Sequence, residues 1–491
     1  MTPPRTAGPN IETAAIGTNK RSIRRICLSL CMSGANRSTL LRLLLNIQPS
    51  STLLGVGVSC GSSIVDDGWL LVVTPEQIEQ VGPRLVEFAE RMLGGLPRSD
   101  QRAKGELYVR GLLTDGPRKS MQPMAERLGV DHQGLQQFVT SSTWDHGRVR
   151  RSVASWAVSA IKPDAYVVDD TGFAKDGIAS PCVARQYSGT LGKVGNCQVG
   201  VSVQMVTDTA SVAANWRLFC PSRWDDTTIA DPVAAEQVRA RRARAGIPDA
   251  VRHREKWRLA LDMLDQLTGE WELPKRPVAG DTGYGDTAEF RQGLDERGFA
   301  YVLEVDPTAT AYPAAAMPVP QRYSGRGRPP VPAYPDEPVT LRELAMAAGR
   351  GACRQLTWRR GTRVTKDNPT AAMRSHFLAI RARPANRRIP RNSDGTLPEV
   401  WLIAEWPPDA AEPVKYWLSN MPTSTRLRTL VRLGKIRWRI EHDYRELKHG
   451  LGLDHFEGRS FLGWHRHVTL VVLAQAFCTM LRLDPKVDAP T

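Results

Sequence analysis

The chain is short of cysteine chemistry, of long apolar runs and of acid. Its eight cysteines include no Cys-x-x-Cys pair. The nearest two, Cys27 and Cys31, lie in a segment without sustained pattern, so neither a zinc framework nor a disulfide scaffold is expected. The patchily apolar stretch 26–45 is interrupted by Arg37 and Arg42, and no small-residue cleavage pattern follows it. It predicts neither a spanning helix nor a signal peptide, which leaves the cytoplasm as the default location and no membrane partner. Acid is outnumbered: 66 Lys and Arg face 51 Asp and Glu, a net charge of +15. That balance points to a polyanionic partner, although an Arg-rich coding bias produces much the same excess.

What is present divides along the chain. At roughly 150 residues per domain, 491 residues make two to four domains. Residues 1–72, rich in Ser, Thr, Asn and Gly, read as a poorly ordered extension. Residues 73–160 carry amphipathic helical patterns at 83–93 and 105–113. Within them, 120–130 precedes 133–139, with Ala125 four residues before Gly129 and apolar residues on both sides. This fits a helix-turn-helix whose second helix enters the major groove; a plain αα-hairpin is the alternative.

Residues 161–305 read as a sheet with interspersed helices. Strands are expected at 165–168, 198–206, 213–218, 277–280 and 300–305, and a helix at 255–267. That order is compatible with an RNase H-like α/β fold. Arg239, Arg241, Arg242 and Arg244 form a basic run that either tracks phosphate or makes a solvated helix face. Residues 306–430 begin as a Pro-, Ala-, Gly- and Tyr-rich linker to about 336. They continue as strands at 353–358, 375–382, 399–406 and 414–418, with Trp358, Trp401 and Trp406 as core positions or, for one of them, a stacking platform for a base. Residues 431–485 are helical and 486–491 are a tail. In the closing helix, 464–483, His465 and His467 cap, contact DNA or pack.

Three acidic sites stand out. The run Ala165-Tyr166-Val167-Val168 leads into Asp169-Asp170-Thr171-Gly172, and Pro277-Val278-Ala279-Gly280 leads into Asp281-Thr282-Gly283. Carboxylates at strand ends before Gly-containing turns are typical of active sites on α/β sheets, although Asp before Thr or Gly also serves as a turn former or N-cap. The third site lies on a helix expected over 438–448, where Arg437, Glu441, Arg445 and Lys448 fall at i, i+4, i+8 and i+11 on one face. One acid among three cations on a helix, after two strand-end acids, suggests a metal-binding carboxylate triad in an enzyme of nucleic acids.

At these residues the chain resembles the DDE transposases of bacterial insertion sequences, the cut-and-paste branch with a β-rich insertion before the catalytic Glu. The resemblance is carried by Val168-Asp169-Asp170-Thr171-Gly172-Phe173, by 184–192 with 196–201, by Gly280-Asp281 with Tyr284-Gly285, by Trp438-Arg439-Ile440-Glu441, and by Lys448 with 450–460. It runs from near residue 80 to near 485. It implies an α/β, RNase H-like catalytic core, split into 161–305 and 431–485 by the insertion, with a helical N-terminal DNA-binding domain. It makes Asp281 and Glu441 catalytic. Asp169 or Asp170 is the first acid, with Asp169 favoured because the resembling sequences keep an acid followed by Asp or Glu. Arg437, Arg445 and Lys448 become DNA contacts. Gly434 departs from the pattern, since many members of the family carry Tyr there.

The implied chemistry is metal-dependent cleavage at transposon ends and DNA strand transfer. Two Mg2+ ions, replaceable by Mn2+, are held by Asp169, Asp281 and Glu441 on hard carboxylate oxygens. The implied partners are double-stranded DNA, as terminal inverted repeats and target, and a second copy of the chain in the DNA complex. On DNA the protein is expected at the nucleoid. The rival readings are an RNase H-like nuclease that cuts without joining, a DNA-binding regulator or inactive remnant, and a metal-independent hydrolase using paired carboxylates. The last leaves the basic helix unexplained.

Overall fold

The computed structural model describes residues 75–484 except 115, 190, 191, 324, 326, 328, 329, 362, 363, 366 and 367, with side chains from residue 81 onward. The expected extension, Cys27, Cys31, the 26–45 stretch and the C-terminal tail lie outside the described residues. Among the described residues five helices come first: α1 (Pro75–Leu93), α2 (Ser99–Leu113), α3 (Met121–Leu128), α4 (His132–Thr140) and α5 (His146–Ile161). α3 ends where Gly129 takes φ +66°, a left-handed conformation that Gly adopts without a Cβ penalty. Asp131 then caps α4 by accepting from Gln133 N. Leu135, Phe138 and Val139 of α4 are buried, whereas His132, Gln133, Gln136 and Gln137 face outward. The expected pair of helices with a tight turn is therefore present.

The chain then builds a sheet from β1 (Ala165–Ala174), β2 (Ala184–Ser188), β3 (Lys193–Val206), β4 (Ser211–Leu218), β5 (Val278–Gly280) and β6 (Tyr301–Val305). β3 lies antiparallel to both β1 and β4, whereas β5 is parallel to β1 and to β6. The order β4-β3-β1-β5-β6, antiparallel and then parallel, is that of an RNase H-like core. Between β4 and β5 come α6 (Pro232–Ala245) and α7 (Lys256–Asp265); α8 (Thr282–Gly285) and α9 (Ala288–Glu296) lead to β6.

Beyond β6, the insertion extends the same sheet. It contains β7 (Thr310–Pro313), β8 (Val339–Thr340), α10 (Leu341–Ala348), β9 (Arg354–Arg360), β10 (Ala372–Pro384), β11 (Val400–Glu405) and β12 (Lys415–Ser419). β12 pairs antiparallel with β6, so the twelve strands are continuous. The expected 306–336 linker is partly structured: β7 pairs with β10, and Val319 and Ala333 form a bridge. The chain returns through α11 (Leu427–Lys435) and α12 (Trp438–Arg445), and a π-helical turn at Glu446–Gly450 leads toward α13 (Phe461–Leu483).

Alternation along β1 sorts its residues between two cores. Tyr166 and Val168 join the N-terminal helices, α7 and α13, whereas Ala165 and Val167 join α11 and Ile440 of α12. α13 is buried over most of its length. Its histidines are packing groups: His467 bridges Tyr108 Oη (2.9 Å) and Gly452 O (3.0 Å), and His465 O accepts from buried Arg150 (3.1 Å). Burial pushes the His467 imidazole down to about 4. The Arg239–Arg244 run is likewise largely structural. Arg242 is buried and donates to Trp224 O, Pro248 O and Val251 O, Arg241 stacks on Trp224, and Arg239 pairs with Glu236 and Asp226.

Candidate active site

β1 does not stop at the acids. It continues to Ala174 because β3 pairs with it as far as Ala174 and Cys197, whereas β5 ends at Gly280. Asp169 and Asp170 therefore lie within a strand and project to opposite faces. Asp169 follows Ala165 and Val167 toward α12 and is 6% exposed. Asp170 points toward α7 and pairs with Lys256 Nζ at 3.0 Å. Asp281 comes directly after β5 and caps α8, accepting from Gly283 N at 3.1 Å. Glu441 is on α12 with its side chain 65% exposed.

One guanidinium joins these acids. Arg437, immediately before α12, lies 3.3 Å from Asp169 Oδ2, 3.4 Å from Asp281 Oδ2 and 3.6 Å from Glu441 Oε1. The structure thus brings Asp169, Asp281 and Glu441 around a common centre and leaves Asp170 on the other side of the sheet. α12 is held over β1 by Tyr444, whose hydroxyl is 2.8 Å from Ser202 Oγ, and Ser202 is the cross-strand partner of Asp169.

The electrostatics match this crowding. Burial pushes Asp169 up to about 7, against the pull of Arg437 and with further repulsion from Asp281 and Asp170. Asp281 is raised for the same leading reason, again opposed by Arg437. Burial lowers the Arg437 guanidinium, but the acids around it outweigh that effect and hold it above its ordinary value. Hard oxygen donors from buried Asp169, half-buried Asp281 and exposed Glu441, with one organic cation among them, suit a divalent ion reached from solvent.

The other expected cations divide. Arg445 is exposed. Lys448, expected on the open face with Glu441, is turned inward: it is 7% exposed, donates from Nζ to Gly172 O at 2.7 Å, and sits 5.6 Å from the Phe173 ring. The cause is the π turn, whose wider winding departs from the 3.6-residue period. Burial lowers its ammonium to about 8. At Gly434, a Cβ would already lie 3.2 Å from Trp417, so the indole of β12 occupies the space that Tyr would need.

A second acidic group lies on the rear of α12. His442, Asp443 and Glu446 can bring one ligand atom each within 4.8 Å of one another. Arginines already balance it: Arg439 is 3.5 Å from Asp443, and Arg482 of α13 is 2.8 Å from Glu446. Asp443 is pushed up to about 6 by burial. This cluster is a charge-matched brace between α12 and α13, and its sequence signal is only the acid spacing.

The family model of the DDE superfamily endonucleases matches residues 91–365, more than half of the chain. The chain belongs to the DDE superfamily. The matched span contains Asp169 and Asp281, and Glu441 lies beyond it. A probable transposase for insertion sequence element IS701 from Microchaete diplosiphon is 36% identical over 96 residues, which is 19% of this DDE-family chain. The match spans 25% of that relative's length. Among the described residues, no helix of this superfamily member is long and apolar enough to cross a membrane. Among its described cysteines, Cys182, Cys197, Cys220 and Cys353 form no disulfide.

Proposed function

We propose that this protein is a transposase that cuts DNA at the ends of an insertion sequence and joins the freed ends to target DNA. The observation that carries the reading is the convergence of Asp169, Asp281 and Glu441, from two strands and a helix, on the Arg437 guanidinium. In this reading Asp169, Asp281 and Glu441 hold two Mg2+ ions, or Mn2+. Bound there, the ions supply an activated water or 3'-hydroxyl and a stabilised leaving oxygen.

The chain's own groups do the positioning. Asp169, rigid within β1, and Asp281, fixed by its cap on α8, present oxygens from adjacent parallel strands. Glu441, exposed on α12, completes the set. Arg437 neutralises the acids while the site is empty and must release them for the ions to enter. The DNA phosphate is the anion that receives it, so substrate binding and site opening are coupled. Arg445 is the exposed cation two turns along the same helix and contacts flanking phosphate. Lys448 acts from behind, holding the Gly172 carbonyl and thereby the strand that carries Asp169. α4 offers His132, Gln133, Gln136 and Gln137 outward as a recognition face for the terminal repeats. A second copy of the chain joins in the DNA complex.

The test uses a plasmid carrying the inverted repeats that flank the gene. Purified protein with Mg2+ is expected to excise the intervening segment and insert it into a second plasmid, and EDTA to stop both. Excision without insertion would replace transposase by nuclease; neither event would overturn the reading.

A further inference from the structure

A groove lies between β9, the start of β10 and the beginning of α11. Its volume is about 570 Å³, and its walls include Arg359, Arg360, Arg374 and Arg428 around Trp358. The arginines come from three separate elements: two from β9, one from β10 and one from α11. Arg359 packs over the Trp438 ring at 3.2 Å, and Trp438 opens the helix that carries Glu441. One wall of the groove therefore touches the helix that carries Glu441. The acid among its described lining residues, Asp208, is engaged by Arg432 at 2.7 Å. Arg360, Arg374 and Arg428 have no carboxylate partner among the described residues.

Charges on an edge strand such as β9 also serve to block pairing with another sheet. That role accounts for Arg360, but not for Arg374 of β10 or Arg428 of α11, which face the same space from elsewhere. Cations gathered without acids repel one another, and the arrangement is relieved by an external polyanion. Guanidinium forks match phosphate oxygens, and an open groove walled by arginines suits a backbone rather than a buried small molecule.

We infer that the β9–β10–α11 groove binds the phosphate backbone of duplex DNA. The inference rests on the transposase reading for the identity of that DNA, but its test is independent of cutting. Full-length protein is titrated, with Ca2+ in place of Mg2+, against a 40-bp duplex (about four helical turns) spanning one element end and its flank, between about 50 and 200 mM salt. The variants are the triple R360A/R374A/R428A, the same three positions changed to Lys, and R387A, which removes an exposed charge elsewhere on the insertion.

Each phosphate contact contributes about 0.9 to the slope of log affinity against log salt, so the Ala triple should flatten it by about 2.7. The Lys triple should keep most of the slope, and R387A should leave it within about 0.5 of wild type. An unchanged slope in the Ala triple, or an equal loss in R387A, would overturn the groove assignment. A Lys triple as flat as the Ala triple would do the same, since phosphate neutralisation requires only the charge. Wild-type cleavage with Mg2+ is measured alongside. If it persists while the slope is unmoved, the groove fails and the transposase reading stands; if wild type never cuts, that reading fails whatever the slope.

Discussion

Replacing Arg437 by Gln removes the cation common to the three acids, and the expected consequence can be worked from the contacts. Unit charges about 3.5 Å apart interact by about 5 kcal/mol at an effective dielectric near 20, before desolvation is counted. Asp169, raised from 3.8 to about 7 even with Arg437 present, already opposes folding by roughly 4 kcal/mol when ionised. Breaking a buried pair by deleting one partner costs about 3–5 kcal/mol. Arg437 is partly exposed and Glu441 largely so, which lowers the expectation to about 2–3 kcal/mol at pH 8 in EDTA. At about 1 °C per kcal/mol for a chain of 491 residues, the melting temperature should fall by roughly 2–3 °C. The loss should shrink at lower pH. Asp169 has a folded pKa above its unfolded one, so stability is greatest where it is protonated and falls as pH rises through about 7. Ca2+ or Mg2+ should restore the variant more than it stabilises wild type, because no arginine must be displaced; an ion at one hundred times its Kd contributes about 2.7 kcal/mol. The assay is thermal melting at pH 6 and pH 8, with and without the ions. An R437Q variant that melts with wild type in EDTA at pH 8, and responds equally to metal, would refute the reasoning.

Asp170→Asn should leave metal-dependent cleavage within about tenfold of wild type, a loss of no more than about 1.4 kcal/mol, whereas Asp169→Asn abolishes it; equal losses would deny the division between the two faces of β1. Lys448→Met should lower stability by about 1–3 kcal/mol, the cost of leaving the buried Gly172 carbonyl without its charged donor, with no change in the salt slope of DNA binding. A flattened slope would return Lys448 to the DNA. Gly172→Ala should impair folding, because the new Cβ would fall 1.9 Å from Ser188 Oγ; a variant with wild-type expression and melting would show that β2 yields there. Changing Gln133, Gln136 and Gln137 to Ala should weaken binding to the element ends by tenfold or more, since each side chain hydrogen-bonded to a base edge is worth about 1–3 kcal/mol, while leaving random duplex unaffected. Equal losses on both DNAs would remove α4 from sequence recognition.

Much of the fold could be read from the chain. The apolar runs at 165–168, 198–206 and 300–305 all became strands, and the strands of the insertion fell close to their expected positions. The length of β1 was not legible, because Asp-Asp-Thr-Gly reads locally as a turn and only pairing with the 14-residue β3 keeps it extended. Strand alternation placed Asp169 and Asp170 on opposite faces, but which face met α12 depended on packing that no local pattern encodes. The fate of Lys448 was hidden for a different reason: spacing arguments assume a regular helix, and the π turn at Glu446–Gly450 breaks the register two residues before it. Arg437 was visible as a cation near Glu441, yet its contact with both strand acids emerges only when α12 crosses the middle of β1 beside the end of β5. The arginines of the groove left a faint mark in Trp358-Arg359-Arg360; their partners at 374 and 428 are distant in sequence and adjacent only through the sheet.

The position at which a divalent ion binds decides the role of the three acids. Crystals of the protein with duplex DNA and Mn2+, measured at the manganese absorption edge, would give anomalous peaks whose positions need no interpretation of activity. Manganese is expected between Asp169, Asp281 and Glu441, with the Arg437 guanidinium moved from the acids to a DNA phosphate. Manganese at His442, Asp443 and Glu446, with Arg437 still bridging Asp169, Asp281 and Glu441, would contradict that expectation.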